Sequence, residues 1–334
     1  MHKNIPIFIP HLGCPHQCVF CNQRSISGCA EFDESGVDAE IRAALATLPA
    51  GAESEIAFFG GSFTGIDRGL MLRLLDTAQK YVDEGRVGAI RLSTRPDYID
   101  EEILSILSRY AVKTVELGLQ SMDDRVLAAS GRGHTAEEAR RACRLVVSHG
   151  FSLVGQMMVG LPESSEETER KTAEEIVSMG ASAARIYPTV VFYDTPLCEM
   201  ARRGDYRPLT DTEAAKRSAE VLSILEAGGV PCIRIGLCAT ENLASPEAVY
   251  AGPNHPALGE AVWNEYYYTR IRKAVTEAGL TGREIALSVP HGEVSKVIGQ
   301  RRCNAERLQR ETGTRIKKVY DSLPHGEVRA QAWK

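Results

Sequence analysis

Three cysteines, Cys14, Cys18 and Cys21, fall within eight residues at the spacing CxxxCxxC. Thiolates are soft ligands that suit iron–sulfur clusters and zinc. A structural zinc site or a complete cubane usually takes four protein ligands. Three would leave one iron open, and an open metal position can bind a reactant. A zinc site would have to borrow His16, Cys29 or a more distant side chain. A disulfide framework fits poorly, because the nine cysteines are odd in number and spread through 334 residues.

The elements that must hold this loop are legible as strand and helix patterns. Ile5 to Pro10 is an apolar run ending at a proline, a first buried strand with the cysteine loop directly after it. Further strands are expected at Glu55–Phe59, Gly88–Ser93, Lys113–Gln120, Phe151–Met158, Ala183–Pro188 and Val230–Gly236. Helical spacing of apolar residues marks 37–48, 67–83, 136–148, 166–179 and 211–227. Thr135 is a good N-cap for the third of these, and Ser164 or Ser165 for the fourth. Alternation of this kind, with connections long enough for right-handed crossovers, predicts a parallel sheet. The expected fold is α/β, a partial (β/α)6 barrel with chemistry at the C-terminal ends of its strands.

Several polar positions stand at those strand ends. Gly60-Gly61-Ser62 follows the second strand, where glycines let backbone approach a ligand and expose its amides. Ser93 closes the third strand, Glu116 and Gln120 the fourth, and Gln156 lies in the fifth. An acid and an amide in apolar runs need partners, and in a barrel both could point into the mouth. Cys238 and His255, in loops after the last of these strands, are candidate active-site groups; otherwise they are a packing residue and a solvated histidine.

CxxxCxxC with Phe20 just before the third cysteine resembles the radical S-adenosylmethionine (radical SAM) superfamily. The resemblance implies that Cys14, Cys18 and Cys21 hold a [4Fe–4S] cluster. SAM would chelate the fourth iron and be split reductively to a 5′-deoxyadenosyl radical. It also implies Phe20 near the adenine and the Gly60-Gly61-Ser62 backbone on the methionyl amine. Arg95-Pro96-Asp97-Tyr98, Glu116–Ser121, Arg132-Gly133-His134-Thr135, Met157–Pro162 and Ile186–Thr189 follow in order. Across roughly residues 5 to 230 they resemble the radical SAM core of the Elongator catalytic subunit, which modifies wobble uridines in tRNA. By that resemblance Gln120 and Arg132 contact SAM. The family pattern commonly has Glu where Ser62 and Ser93 stand, and Asp or His at Gln156. An electron donor such as ferredoxin or flavodoxin would be needed. The Elongator subunit carries an acetyltransferase domain after this core, for which the residues up to Lys334 leave no room.

The last part has a different character. Residues 296–318 hold eight Lys or Arg against two Glu, in a chain of net charge −5. A strand at Glu284–Val289, a turn at Gly299, a helix, Gly313 and a strand resemble a KH-type RNA-binding module, whose GxxG loop grips the nucleic-acid backbone. Here the loop reads Gly299-Gln300-Arg301-Arg302, without the second glycine. Lys296, Gln300, Arg301, Arg302, Lys317 and Lys318 are the expected RNA contacts. Arg270 and Arg272, with Tyr266, Tyr267 and Tyr268, either hold nucleic acid or form an amphipathic helix with a buried tyrosine face.

The expected organisation is a barrel over 1–240, a connecting segment with a helix over 241–283 and a basic module over 284–334. No apolar run approaches the ~20 residues of a membrane span. The start, Met1 to Pro6, is too short and proline-broken for a signal peptide, so the cytoplasm is the expected compartment. The expected activity is radical SAM modification of RNA, most specifically of a tRNA nucleoside. Small-molecule chemistry like that of the oxygen-independent coproporphyrinogen oxidases is the alternative enzyme, and an RNA-binding protein with a structural cluster the non-catalytic one.

Overall fold

The computed structural model describes residues 3–15, 18–23, 32–49, 53–237 and 247–333. Its centre is an all-parallel sheet. Strands β1 (Lys3–Ile9), β2 (Ser54–Gly60), β3 (Ala89–Thr94), β4 (Val112–Gln120), β5 (Ser152–Val159) and β6 (Ala183–Pro188) pair in chain order. A short β7 (Val191–Phe192) leaves the sheet, and β8 (Cys232–Ile235) returns to pair with β6 as a seventh strand. The sheet is curled. Arg185 on β6 sits 5.3 Å over the ring of Phe59 on β2, although four strand spacings would separate the backbones by about 19 Å in a flat sheet.

Period-2 alternation gives each strand two different faces. Ile5, Ile7, Ile56, Phe58, Leu92 and Val115 pack outward into the main core. That core is closed by helices including α1 (Val37–Thr47), α2 (Arg68–Asp83), α3 (Glu101–Leu107), α4 (Asp124–Ala129), α5 (Ala136–Ser148) and α6 (Glu166–Ser178). The inward residues Arg91, Glu116 and Arg185 are polar and still buried. Thr135 and Ser165 cap α5 and α6 through reciprocal capping boxes. Thr195, Pro196 and the left-handed Gly204 bound α7 (Pro196–Arg203), a start-and-stop pattern readable from sequence.

Helix α8 (Asp211–Ala227) precedes β8, and β9 (Val249–Ala251) pairs antiparallel with β7. The next helix is α9 (Leu258–Glu277). Tyr266, Tyr267 and Tyr268 are all at most 2% exposed. The nucleic-acid role considered for them is thereby overturned: they join two bodies. Tyr267 donates to Glu293 and Tyr268 to Glu311. Arg270 lies 3.6 Å from the Tyr266 ring centroid and donates to the Gly326 carbonyl at 3.0 Å.

The C-terminal body runs β10 (Glu284–Pro290), α10 (Val294–Ile298), α11 (Cys303–Thr312), β11 (Arg315–Leu323) and β12 (Arg329–Ala332). Its sheet order is β11-β10-β12, with β10–β11 parallel and β10–β12 antiparallel. Its buried Ile285, Leu287, Val289, Val297 and Leu308 belong to the same apolar cluster as the barrel core. His325 stands 2.9 Å from Glu293 and 3.0 Å from Glu226 of α8, a polar tie beside the apolar seam.

Candidate active site at the barrel mouth

The cysteine loop is pressed against the turn after β2. The amide of Gly61 donates to Ile9 O at 2.7 Å, and that of Ser62 to Leu12 O at 2.9 Å. A Cβ on Gly61 would lie 2.0 Å from Leu12 O, and one on Gly13 would lie 2.2 Å from Ser62 O, so only glycine fits at either position. The sequence pattern suggests free amides at this turn; those of Gly61 and Ser62 are instead used within the fold. What faces the loop is the Gly60 carbonyl, which accepts from Gln23 Nε2 at 2.6 Å. Ser62 Oγ is held internally, 2.8 Å from Thr94 Oγ1 and accepting the Arg95 amide at 3.2 Å.

Two guanidiniums converge on the middle cysteine. Arg132 Nη1 lies 3.3 Å from Cys18 Sγ and Arg95 Nη1 4.0 Å from it. Arg95 is clamped by Asp97, with Nε–Oδ1 and Nη2–Oδ2 both at 2.9 Å, and also donates to the Arg132 carbonyl. Arg132 Nη2 donates to Gly118 O at 2.5 Å. The three thiols feel one another. Burial, then the neighbouring Cys18 and Cys14, push Cys21 up to about 12, and burial followed by Cys18 raises Cys14. Such thiols ionise together only when a cation replaces their protons.

The donor set fits a cubane with a polar organic ligand. Three thiolates would ligate the irons, and two guanidiniums offset the negative charge of the thiolate-ligated cluster. Among the described residues, no three His, Cys, Asp or Glu converge on a single metal ion; a cubane places each cysteine on a different iron. His16 and Cys29, which a zinc site would borrow, lie outside the described residues. Two buried polar atoms at the barrel mouth, Gln120 Oε1 and Arg132 Nε, have no hydrogen-bond partner among the described residues. Orphaned groups of this kind signal a missing ligand. Gln120 is held with φ +66°, a backbone state rare outside glycine and enriched at functional positions.

Comparison with known proteins decides the family. The radical SAM superfamily model matches residues 8–176, and the Radical_SAM C-terminal domain model matches residues 181–267.

The chain belongs to the radical SAM superfamily.

Its cofactors are accordingly a [4Fe–4S] cluster and SAM, and it is an enzyme. It is 33% identical over 156 residues to the tRNA uridine(34) acetyltransferase of Methanocaldococcus jannaschii, a match covering 45% of this chain and 29% of that protein. It is 30% identical over 139 residues to Elongator complex protein 3 of Mus musculus, covering 41% and 25%. The chain thus matches under a third of the length of these relatives. A structure of archaeal Elp3 from Methanocaldococcus infernus, lacking its N-terminal segment, superposes with a TM-score of 0.60 at 22% identity. That superposition covers 85% of this chain and 66% of the archaeal one, and supports the fold.

Within this radical SAM barrel the other expected residues separate. Phe20 packs against the small cluster of Val191, Leu197 and Tyr206. Ser93 and Gln156 are half-buried in the sheet. Glu116 is lower, about 13 Å down β4 from Gln120, and its Oε2 lies 3.0 Å from Arg185 Nε. Burial pushes its carboxyl up against the pull of Arg185 and Arg91. His255 is exposed, and its Nδ1 accepts the Ala257 amide at 3.1 Å at the start of α9. Cys238 lies outside the described residues. The sequence pattern assigns no role to Arg95, His134, Arg185 or Arg234. The Arg-x-Asp spacing of Arg95 and Asp97 is the one local signal for the first.

Proposed function

We propose that this radical SAM enzyme modifies a tRNA nucleoside in the cytoplasm. In this reading residues 1–240 are the catalytic barrel, 241–283 the connector and 284–334 a module that holds RNA. The observation that carries the proposal is the loop between α10 and α11. Gln300, Arg301 and Arg302 are all exposed there, with Arg301 and Arg302 at φ +52° and +65°. Gly299 permits the turn, since a Cβ would lie 2.4 Å from Cys303 Sγ. A strand–helix–loop–helix–strand unit with its connecting loop exposed and cationic suits backbone phosphates. The other expected contacts differ in availability. Lys318 is exposed, whereas Lys296 lies 3.7 Å from Glu293 and over Trp263, and Lys317 lies 3.2 Å from Glu284. The similarity to a tRNA uridine(34) acetyltransferase favours tRNA over other RNA.

When bound and reduced by a ferredoxin- or flavodoxin-type donor, the cluster and SAM supply a 5′-deoxyadenosyl radical. The chain's own residues orient and shield. Cys14, Cys18 and Cys21 hold the cluster, while Arg132 and Arg95 offset thiolate charge. The Gly60 carbonyl accepts from the amine end of SAM. Gln120, Arg132, Ser93 and Gln156 hold the rest of SAM, and the curled sheet excludes water.

Filter or fluorescence binding of labelled tRNA tests the RNA reading. Arg301→Ser/Arg302→Ser should weaken binding and reduce the slope of log K against log salt by about 1.4 to 1.8, since each phosphate no longer neutralised removes about 0.7–0.9. Unchanged affinity and slope would remove the module from RNA recognition.

A further inference from the structure

The three-stranded sheet of the C-terminal body has one covered face and one open face. Ile285, Leu287 and Val289 of β10 point into the apolar cluster with Val297 of α10 and Leu308 of α11. By alternation Glu284, Ala286 and Ser288 lie on the other face. Register sets Ala286 between Lys318 of β11 and Gln331 of β12, and Ser288 between Tyr320 and Arg329. Trp333 continues the β12 row, its amide donating to Glu284 O at 3.0 Å. Tyr320 and Trp333 are each 40% exposed, and Lys318, Arg329 and Gln331 are exposed as well. Neither ring has an aromatic or cationic partner among the described residues. The acids nearby are used: Glu284 pairs with Lys317 at 3.2 Å and Glu327 with Arg329 at 2.8 Å. Arg315, opposite Glu284 in the register, and Lys318 have no anionic partner among the described residues.

We propose that this open face binds single-stranded RNA, with one base stacked on Tyr320 and another on Trp333. The proposal deepens the RNA reading and rests on it for the identity of the polymer. Two strand spacings and four residues separate the positions of the rings by about 16 Å, and the small Ala286 and Ser288 keep the surface between them low. Separated rings with cations beside them suit splayed bases and backbone phosphates. A duplex keeps its base faces stacked internally and offers the rings nothing. A second copy on the same face would set Arg315 and Lys318 against the same two cations with no free acid between them. The Gln300–Arg302 loop belongs to the helical layer on the other side of the sheet, so the two surfaces serve different parts of an RNA.

Fluorescence anisotropy of a labelled oligoadenylate of about 12 nucleotides, titrated with the reconstituted full chain, tests the face. Y320A and W333A should each weaken binding about 5- to 100-fold, the loss of one stacked base. W333F should keep most of the affinity and lose the tryptophan quenching that the oligonucleotide causes in the wild type. No binding by the wild type, unchanged affinity in both alanine variants, or quenching that persists in W333F overturns the proposal. A wild-type dimer that dissociates on Y320A or W333A assigns the face to a second copy and also overturns it. The tRNA test of Arg301→Ser/Arg302→Ser uses other residues and another probe, so either reading can fail alone.

Discussion

Arg132 bridges the cysteine loop and the central strand: one end of its guanidinium lies 3.3 Å from Cys18 Sγ and the other donates to Gly118 O at 2.5 Å. It therefore sets the height of the loop over β4 while its Nε has no partner among the described residues. Arg132→Lys keeps the charge and loses the fork. SAM affinity of the reconstituted protein should fall about 10- to 100-fold, the equivalent of a charge-assisted hydrogen bond of roughly 1.5–3 kcal/mol. Equilibrium dialysis with labelled SAM measures this, with iron content as the control for cluster loading.

Glu116 and Arg185 form a buried pair, 2% and 9% exposed. Arg185→Met should destabilise the fold by about 3 kcal/mol, because a carboxylate loses its closest cation in the barrel interior. Adding Glu116→Gln should recover at least half of that loss. Urea unfolding of the two single variants and the double variant gives the coupling directly.

His134 has a buried side chain, and burial followed by Arg132 lowers its pKa from 6.5 to about 3. The unfolded chain takes up a proton near pH 6.5 that the folded chain refuses until about pH 3. This contribution to stability is complete above pH 6.5 and is lost as pH falls through that window, by up to about 1.4 kcal/mol per pH unit. Denaturant unfolding from pH 7.5 to 5 should show that slope, and His134→Phe should flatten it.

Gly299 has φ +81° and its added Cβ would strike Cys303 Sγ at 2.4 Å. Gly299→Ala should cost roughly 1–3 kcal/mol in the C-terminal body and distort the Arg301–Arg302 loop. Paired measurement of the melting temperature and of tRNA affinity should show both falling.

The strands of the barrel are legible in the sequence because their outward residues, such as Ile56 and Phe58 or Ile90 and Leu92, make apolar runs that survive without tertiary context. The cysteine loop is legible because its ligands are local. The inward charges are not: Arg91, Arg185 and Arg234 each interrupt an apolar run singly, and what they face is set by sheet curl. The three consecutive tyrosines are ambiguous in sequence for a related reason. Residues 100° apart cannot share one helix face, yet α9 is covered on several sides by α8, β12 and α11, so all three are buried. The free amides expected after β2 are hidden by a contact with Ile9 and Leu12, whose backbone carbonyls leave no trace in sequence.

The central claim is an iron held one protein ligand short by Cys14, Cys18 and Cys21. Anaerobically reconstituted protein, reduced in the presence of SAM, should release 5′-deoxyadenosine detectable by mass spectrometry, and Cys18→Ala should abolish it. Protein that contains zinc, or that carries a full cluster and yields no 5′-deoxyadenosine, would contradict it.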